Sequence, residues 1–198
     1  MLQTAHEVGD RLEALYVLAI HTGLRQGELL GLKWDDVDLD DGSLQVRRTL
    51  TMTKSAAVFG DVKTAASRRS VKLTGKAIEA LKSHLERQLA EIDRVGSLWS
   101  PGDADGLIFA SETGEPLDRR AVTKSKFKPL LKRAGLLEIR FHDLRHTCAT
   151  LLLTRNVNPK IVSEMLGHSS ITITLDTYSH VLPNMRDQAA AAMEEALS

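Results

Sequence analysis

Apolar residues at Leu12, Leu15, Val17, Leu18 and Ile20 recur near helical spacing and predict a core helix over residues 7–21, which Thr22-Gly23 stops. A short helix follows over about 25–32. The pattern then changes: after a turn-rich stretch ending at Gly42, residues 43–50 are β-branched and partly alternating, and residues 69–73 alternate again. These read as two paired strands joined by residues 51–67. Thr74 is placed to cap a long polar helix over 76–95, and residues 96–106 read as loop from their Gly, Pro and Asp content. Leu107-Ile108-Phe109 predicts a short buried extended segment. Helices are expected after Leu117 to about Arg133, with Gly135 as C-cap, over 141–154, from Pro159 to Gly167, and over 171–178. An alanine-rich helix with an apolar stripe closes the chain over 184–197.

This succession predicts an α+β fold, mainly helical, with a small antiparallel sheet of about three strands. At 198 residues, with 42% hydrophobic and 26% charged positions, the chain can bury its own core and shows neither disordered nor fibrous composition. No repeat or flexible linker marks a second domain, so residues 1–198 read as one. The longest apolar run, residues 14–20, is far short of the ~20 residues that span a bilayer, and no signal segment follows Met1. The single cysteine, Cys148, rules out an internal disulfide and suits a reducing cytoplasm; it reads as core.

The formal net charge is zero, yet the charges are segregated. Residues 46–88 hold ten basic and three acidic side chains and residues 119–145 nine and two, while residues 1–45 and 89–118 are acidic. Two basic blocks can build a face for nucleic acid, although solvated helix faces produce the same pattern.

His142-Asp143-Leu144-Arg145 sets a histidine and an arginine on one helical face, where an arginine fork suits two phosphate oxygens and an imidazole donates or moves a proton. Leu166-Gly167-His168 places another donor just past a helix end. Of the two tyrosines, Tyr16 lies in an apolar helix and reads as core, whereas Tyr178 lies in a polar context. His142 and His146 stand four apart, as zinc ligands can. The residues between them lack the glutamate of H-E-x-x-H, and an arginine beside a metal is repelled, so no metal is expected.

Together with the segment from Thr22 to Leu32 around Arg25, and Lys63-Thr64 before Arg68-Arg69, these motifs resemble the tyrosine recombinase, or phage integrase, family in order and spacing. The resemblance implies a helical catalytic domain that cleaves and rejoins DNA through a 3′-phosphotyrosine link, without metal, cofactor or ATP. Tyr178 would be the nucleophile. Arg25 and Arg145 would clamp the phosphate, His168 would donate a further hydrogen bond, and His142 would assist proton transfer at the attacking oxygen. Lys63 would protonate the leaving 5′ oxygen, with Lys54 and Lys72 as competitors, and Glu28 would orient a basic neighbour.

Full-length members carry one or two N-terminal DNA-binding domains, which this chain is read as lacking. The implied partners are double-stranded DNA, further protomers (a monomer alone, a tetramer on DNA through the C-terminal helix) and accessory DNA-bending proteins, in the cytoplasm at the nucleoid. Two other readings stay open. One is a catalytically inactive DNA-binding or regulatory module, which the full residue set disfavours; the other is a type IB topoisomerase, where a lysine is usual in place of His142.

Overall fold

The computed structural model describes residues 1–53, 56–61, 68–181 and 193–197. The expected first helix is two, α1 (Leu2–Glu7) and α2 (Glu13–Thr22). Gly9 takes φ +60 between them, and the Asp10 carboxylate caps the N–H of Leu12 at 2.8 Å, so a turn interrupts what periodicity alone would join. Helix α2 is buried on nearly all sides, Leu15, Tyr16 and Leu18 fully, and is the centre of the core. Gly23 ends it in the left-handed region, and α3 (Gln26–Leu30) follows at once.

Strands β1 (Val37–Asp38), β2 (Ser43–Val46), β3 (Arg48–Met52), β4 (Ala57–Asp61) and β5 (Arg69–Lys72) come next. They form an antiparallel sheet in the order β1-β2-β5 and a separate β3-β4 hairpin. The predicted pairing of the two alternating segments is present, with Leu44 opposite Val71 and Val46 opposite Arg69. The predicted single strand over 43–50 is not. It breaks at Arg47, and β3 pairs with β4 inside the segment expected to be a plain connection. At the break, Arg48 turns its guanidinium onto the buried Asp36 carboxylate and the Gly31 carbonyl, and Arg47 reaches the same carboxylate at 3.5 Å.

Helix α4 (Gly75–Val95) starts at its expected cap, the Thr74 hydroxyl accepting from the Ala77 N–H at 3.3 Å. It buries Ala77, Leu81, His84 and Gln88 along one stripe. His84 and Gln88 bond the Ile108 and Leu107 carbonyls at 2.7 and 2.9 Å, pinning the buried extended segment 107–110. The next helix is continuous but not uniform. Between α5 (Arg119–Val122) and α6 (Lys128–Arg133) lies a π-helical turn over Thr123–Phe127, which accommodates Pro129, a residue without an N–H.

Helices α7 (Asp143–Thr154), α8 (Pro159–Leu166) and α9 (Ile171–Tyr178) match their expected spans, α9 to the residue. Their facing sides enclose a second cluster: Ala149, Leu153, Val162, Leu166 and Tyr178. Of the predicted terminal helix, residues 193–197 are helical and 184–192 lie outside the described residues. No helix among the described residues is long and apolar enough to cross a membrane.

Candidate active site

Arg25 is the residue preceding α3, held in the extended conformation that an N-cap requires. Three residues on, Glu28 reaches back to the Arg25 N–H at 2.9 Å and to Arg25 Nη1 at 2.8 Å. The same carboxylate, 2% exposed, receives Arg69 Nη2 at 2.8 Å from the start of β5. Burial raises the Glu28 pKa, and the hydrogen bonds and charges of Arg69 and Arg25 outweigh it, so the net shift is downward. Glu28 is therefore a buried anion orienting two arginines.

Two arginines are locked in turn to backbone carbonyls of the glycines that end α2 and α8. Arg145, on the first turn of α7, donates from Nη1 to the Gly23 carbonyl at 2.8 Å, and Arg25 donates from Nη2 to the Gly167 carbonyl at 3.1 Å. Arg69 donates from Nε to the Met165 carbonyl at 2.7 Å. Each of these bonds ties a basic side chain to a loop or helix end close to another predicted site residue. A Cβ on Gly167 would sit 2.7 Å from Arg69 Nη1, so the close passage of loop and guanidinium needs glycine there.

The result is a cleft of about 390 Å³ whose wall includes Arg25, His142, Arg145, Gly167 and His168. A larger cavity, about 680 Å³, lies between Leu12, Val122 and Leu130 and holds none of the predicted residues. Inside the cleft wall the Arg145 guanidinium is buried, and its Nη2 has no hydrogen-bond partner among the described residues. Burial, then Arg25, pushes the Arg145 pKa down to about 10, so it stays cationic at neutral pH. His168 shares a 2.7 Å hydrogen bond from Nδ1 with the Thr174 hydroxyl. Burial, then the charges of Arg145 and Arg25, pushes it down to about 4, leaving a neutral imidazole at pH 7. His142 is lowered as well, by burial first and then by His146 and Arg145.

Tyr178, expected in polar surroundings, is 3% exposed and packs in the apolar cluster under α7 and α8. Its hydroxyl shares a 2.8 Å hydrogen bond with His146 Nδ1. Burial raises the phenol pKa, with the Arg145 charge pulling the other way. Lys63 and Lys54 lie outside the described residues; Lys72 pairs with Asp41 at 2.9 Å, on the exposed side of β5. His146, Arg69 and Thr174 received no role from sequence. The spacing of His146 from His142 had suggested only a metal, and among the described residues no group of three potential ligands forms. Cys148 is buried as expected, its thiol raised to about 11 by burial.

A family model described as "Phage integrase family" matches residues 1–185. This chain belongs to the phage integrase family. It is 39% identical over 196 residues to the "Tyrosine recombinase XerC-like" protein of Caldanaerobacter subterraneus subsp. tengcongensis, a match covering 94% of this chain and 50% of that protein. It is 30% identical to the ICEBs1 integrase of Bacillus subtilis, over 93% of this chain and 49% of that one. The chain thus spans about half the length of the curated relatives it matches.

Among solved structures, the Tn1549 transposon integrase in complex with a circular intermediate DNA superposes with a TM-score of 0.76 at 26% identity, covering 96% of this chain and 60% of that one. The XerA recombinase superposes at 0.68 and 25% identity, over 98% and 60%. The phage integrase fold, helical with a small antiparallel sheet, is the fold the resemblance implied.

Proposed function

We propose that this chain is the catalytic domain of a site-specific DNA recombinase or integrase that cuts and rejoins strands through a 3′-phosphotyrosine intermediate. The observation that carries this reading is the buried Nη2 of Arg145, unpartnered among the described residues, in a cleft shared with Arg25, His142 and His168. A desolvated guanidinium nitrogen without a partner is costly, and a phosphodiester oxygen supplies the missing acceptor with matching charge.

In this reading Arg25 and Arg145 hold the non-bridging oxygens and stabilise the negative charge that grows on the pentavalent phosphorus. The neutral His168 imidazole donates a further hydrogen bond, and His142, on the cleft wall, assists proton transfer on the attacking side. Tyr178 Oη attacks phosphorus, the bond from phosphorus to the 5′ oxygen breaks, and that oxygen takes a proton from Lys63. Because the new phosphotyrosine ester retains the energy of the broken phosphodiester, rejoining needs no ATP. Double-stranded DNA is the proposed partner, approached through the basic segments 46–88 and 119–145. Assembly as a tetramer on DNA, help from DNA-bending proteins and a place in the cytoplasm at the nucleoid belong to the same proposal.

The test is covalent capture. The protein is incubated with a randomised pool of nicked duplexes, and species that survive denaturing gels are recovered and sequenced. Wild type is expected to capture a defined sequence; Tyr178→Phe should bind it and capture none. Arg145→Ala should lower the rate on the order of 10²-fold or more. An adduct persisting in Tyr178→Phe, or no adduct with wild type, defeats the reading and favours a binding module.

A further inference from the structure

We propose that His146 is the base that takes the Tyr178 phenol proton as the phosphate is attacked and returns it on rejoining. The inference rests on Tyr178 being the nucleophile and adds a residue to the reaction. Its ground is contact. His146 Nδ1 stands 2.8 Å from Tyr178 Oη, within direct proton-transfer reach, and the two rings lie 5.7 Å apart between centroids.

The other imidazoles of the site are differently engaged. His168 has its Nδ1 on the Thr174 hydroxyl, and His142 meets the His146 ring edge-on at 5.0 Å from the cleft side. His146 is thus in ring contact with both His142 and Tyr178. Among the described residues, His142 at the N-cap of α7, Asp143 in its first turn, His168 from the α8–α9 turn and Tyr178 from α9 are the titratable groups that interact with His146.

A base is needed here. An ordinary phenol is only ~0.1% ionised at neutral pH, and burial moves Tyr178 further from ionisation. His146 also follows Arg145 directly in α7, so the proton acceptor and a phosphate-binding group ride on one rigid helical turn. The atoms balance as follows. The Oη–H bond breaks with its proton going to Nδ1, Oη–P forms, and P–O5′ breaks with the 5′ oxygen protonated by the separate acid. On rejoining, the 5′ hydroxyl returns its proton to the separate acid as O5′–P forms, Oη–P breaks, and Nδ1–H gives its proton back to Oη.

The scheme requires an unprotonated Nδ1 in the resting protein. In wild type labelled with nitrogen-15, long-range proton–nitrogen correlation of His146 at neutral pH reads this directly, without any variant. A bare Nδ1 supports the scheme; a protonated Nδ1 overturns it.

The kinetic arm uses the nicked duplex recovered by capture. His146→Ala is expected to form adduct about 10²-fold more slowly and to regain rate with added free imidazole. Replacing the leaving 5′ oxygen by sulfur, which departs without a proton, should not rescue it. His146→Gln, which keeps size and a hydrogen bond, should melt and bind DNA as wild type does and still be slow. Wild-type rate in either variant overturns the proposal, as does rescue by sulfur instead of imidazole. If Tyr178→Phe forms no adduct while His146→Gln is unimpaired, this inference alone fails. If Tyr178→Phe forms adduct, the reading beneath it fails too.

Discussion

Glu28→Gln removes one charge and almost no volume from the point where Arg25 and Arg69 meet. The Arg69 side chain is 6% exposed and pairs with Glu28 at 2.8 Å, whereas Arg25 is 42% exposed. The loss should therefore come mainly through Arg69, a buried cation that loses this ion pair, a change worth about 3–5 kcal/mol. The glutamine oxygen still accepts one hydrogen bond, which favours the lower end of that range, and the exposed Arg25 pair adds ~0–1 kcal/mol. The sum is about 3–4 kcal/mol, or roughly 6–15 °C in Tm for a chain of this size.

Urea unfolding of wild type, Glu28→Gln, Arg69→Met and the double variant measures it, and the double should fall short of the summed singles by about 2 kcal/mol. The effect also has a pH sign. Because the folded Glu28 carboxyl titrates below its ordinary value, its contribution is present above the unfolded carboxyl range and is lost as pH falls through the folded one. The gap between wild type and Glu28→Gln should close in acid. A loss under ~1 kcal/mol, or strict additivity with Arg69→Met, would refute the picture of Glu28 as the shared anion.

Gly167, beside Arg69, and His84, buried in α4, give two further outcomes. Gly167→Ala puts a methyl 2.7 Å from Arg69 Nη1 at a φ of +69 and should cost about 2–4 kcal/mol, read by thermal melting. A melt unchanged from wild type would mean that loop and guanidinium separate freely. His84, pushed down to about 4 chiefly by burial, stays neutral in the fold while the unfolded chain's histidine takes a proton near pH 6.5. Its contribution is whole above pH ~6.5 and drains away as pH falls toward about 4. Between pH 7 and pH 5 wild type should lose about 2 kcal/mol more than His84→Gln, and equal losses in urea titrations would contradict it.

The sequence alone determined the elements whose signals are local. Thr74 caps α4, Pro159 opens α8, and Gly23 and Gly167 stop their helices in the left-handed region, because capping and φ preferences act within a few residues. The candidate residues were picked out by resemblance: arginine, histidine and tyrosine stand in the order and spacing of the family's motifs, and side-chain chemistry alone left the His142–Arg145 pair open to a plain surface role. Only the tertiary structure decided how they meet. Arg145 finds the Gly23 carbonyl 122 positions away, Glu28 finds Arg69 across 41, and His146 finds Tyr178 across 32.

The last helix shows the limit most plainly. By hydrophobicity Ile171, Ile173 and Leu175 should face inward, yet they are 37–42% exposed, while Thr174 and Tyr178 are buried. Helices α7 and α8 cover the Thr174–Tyr178 face, where His168 and His146 share hydrogen bonds with the two hydroxyls. Which side of an amphipathic helix is covered depends on the surfaces that reach it, and those surfaces come from parts of the chain that local pattern cannot see.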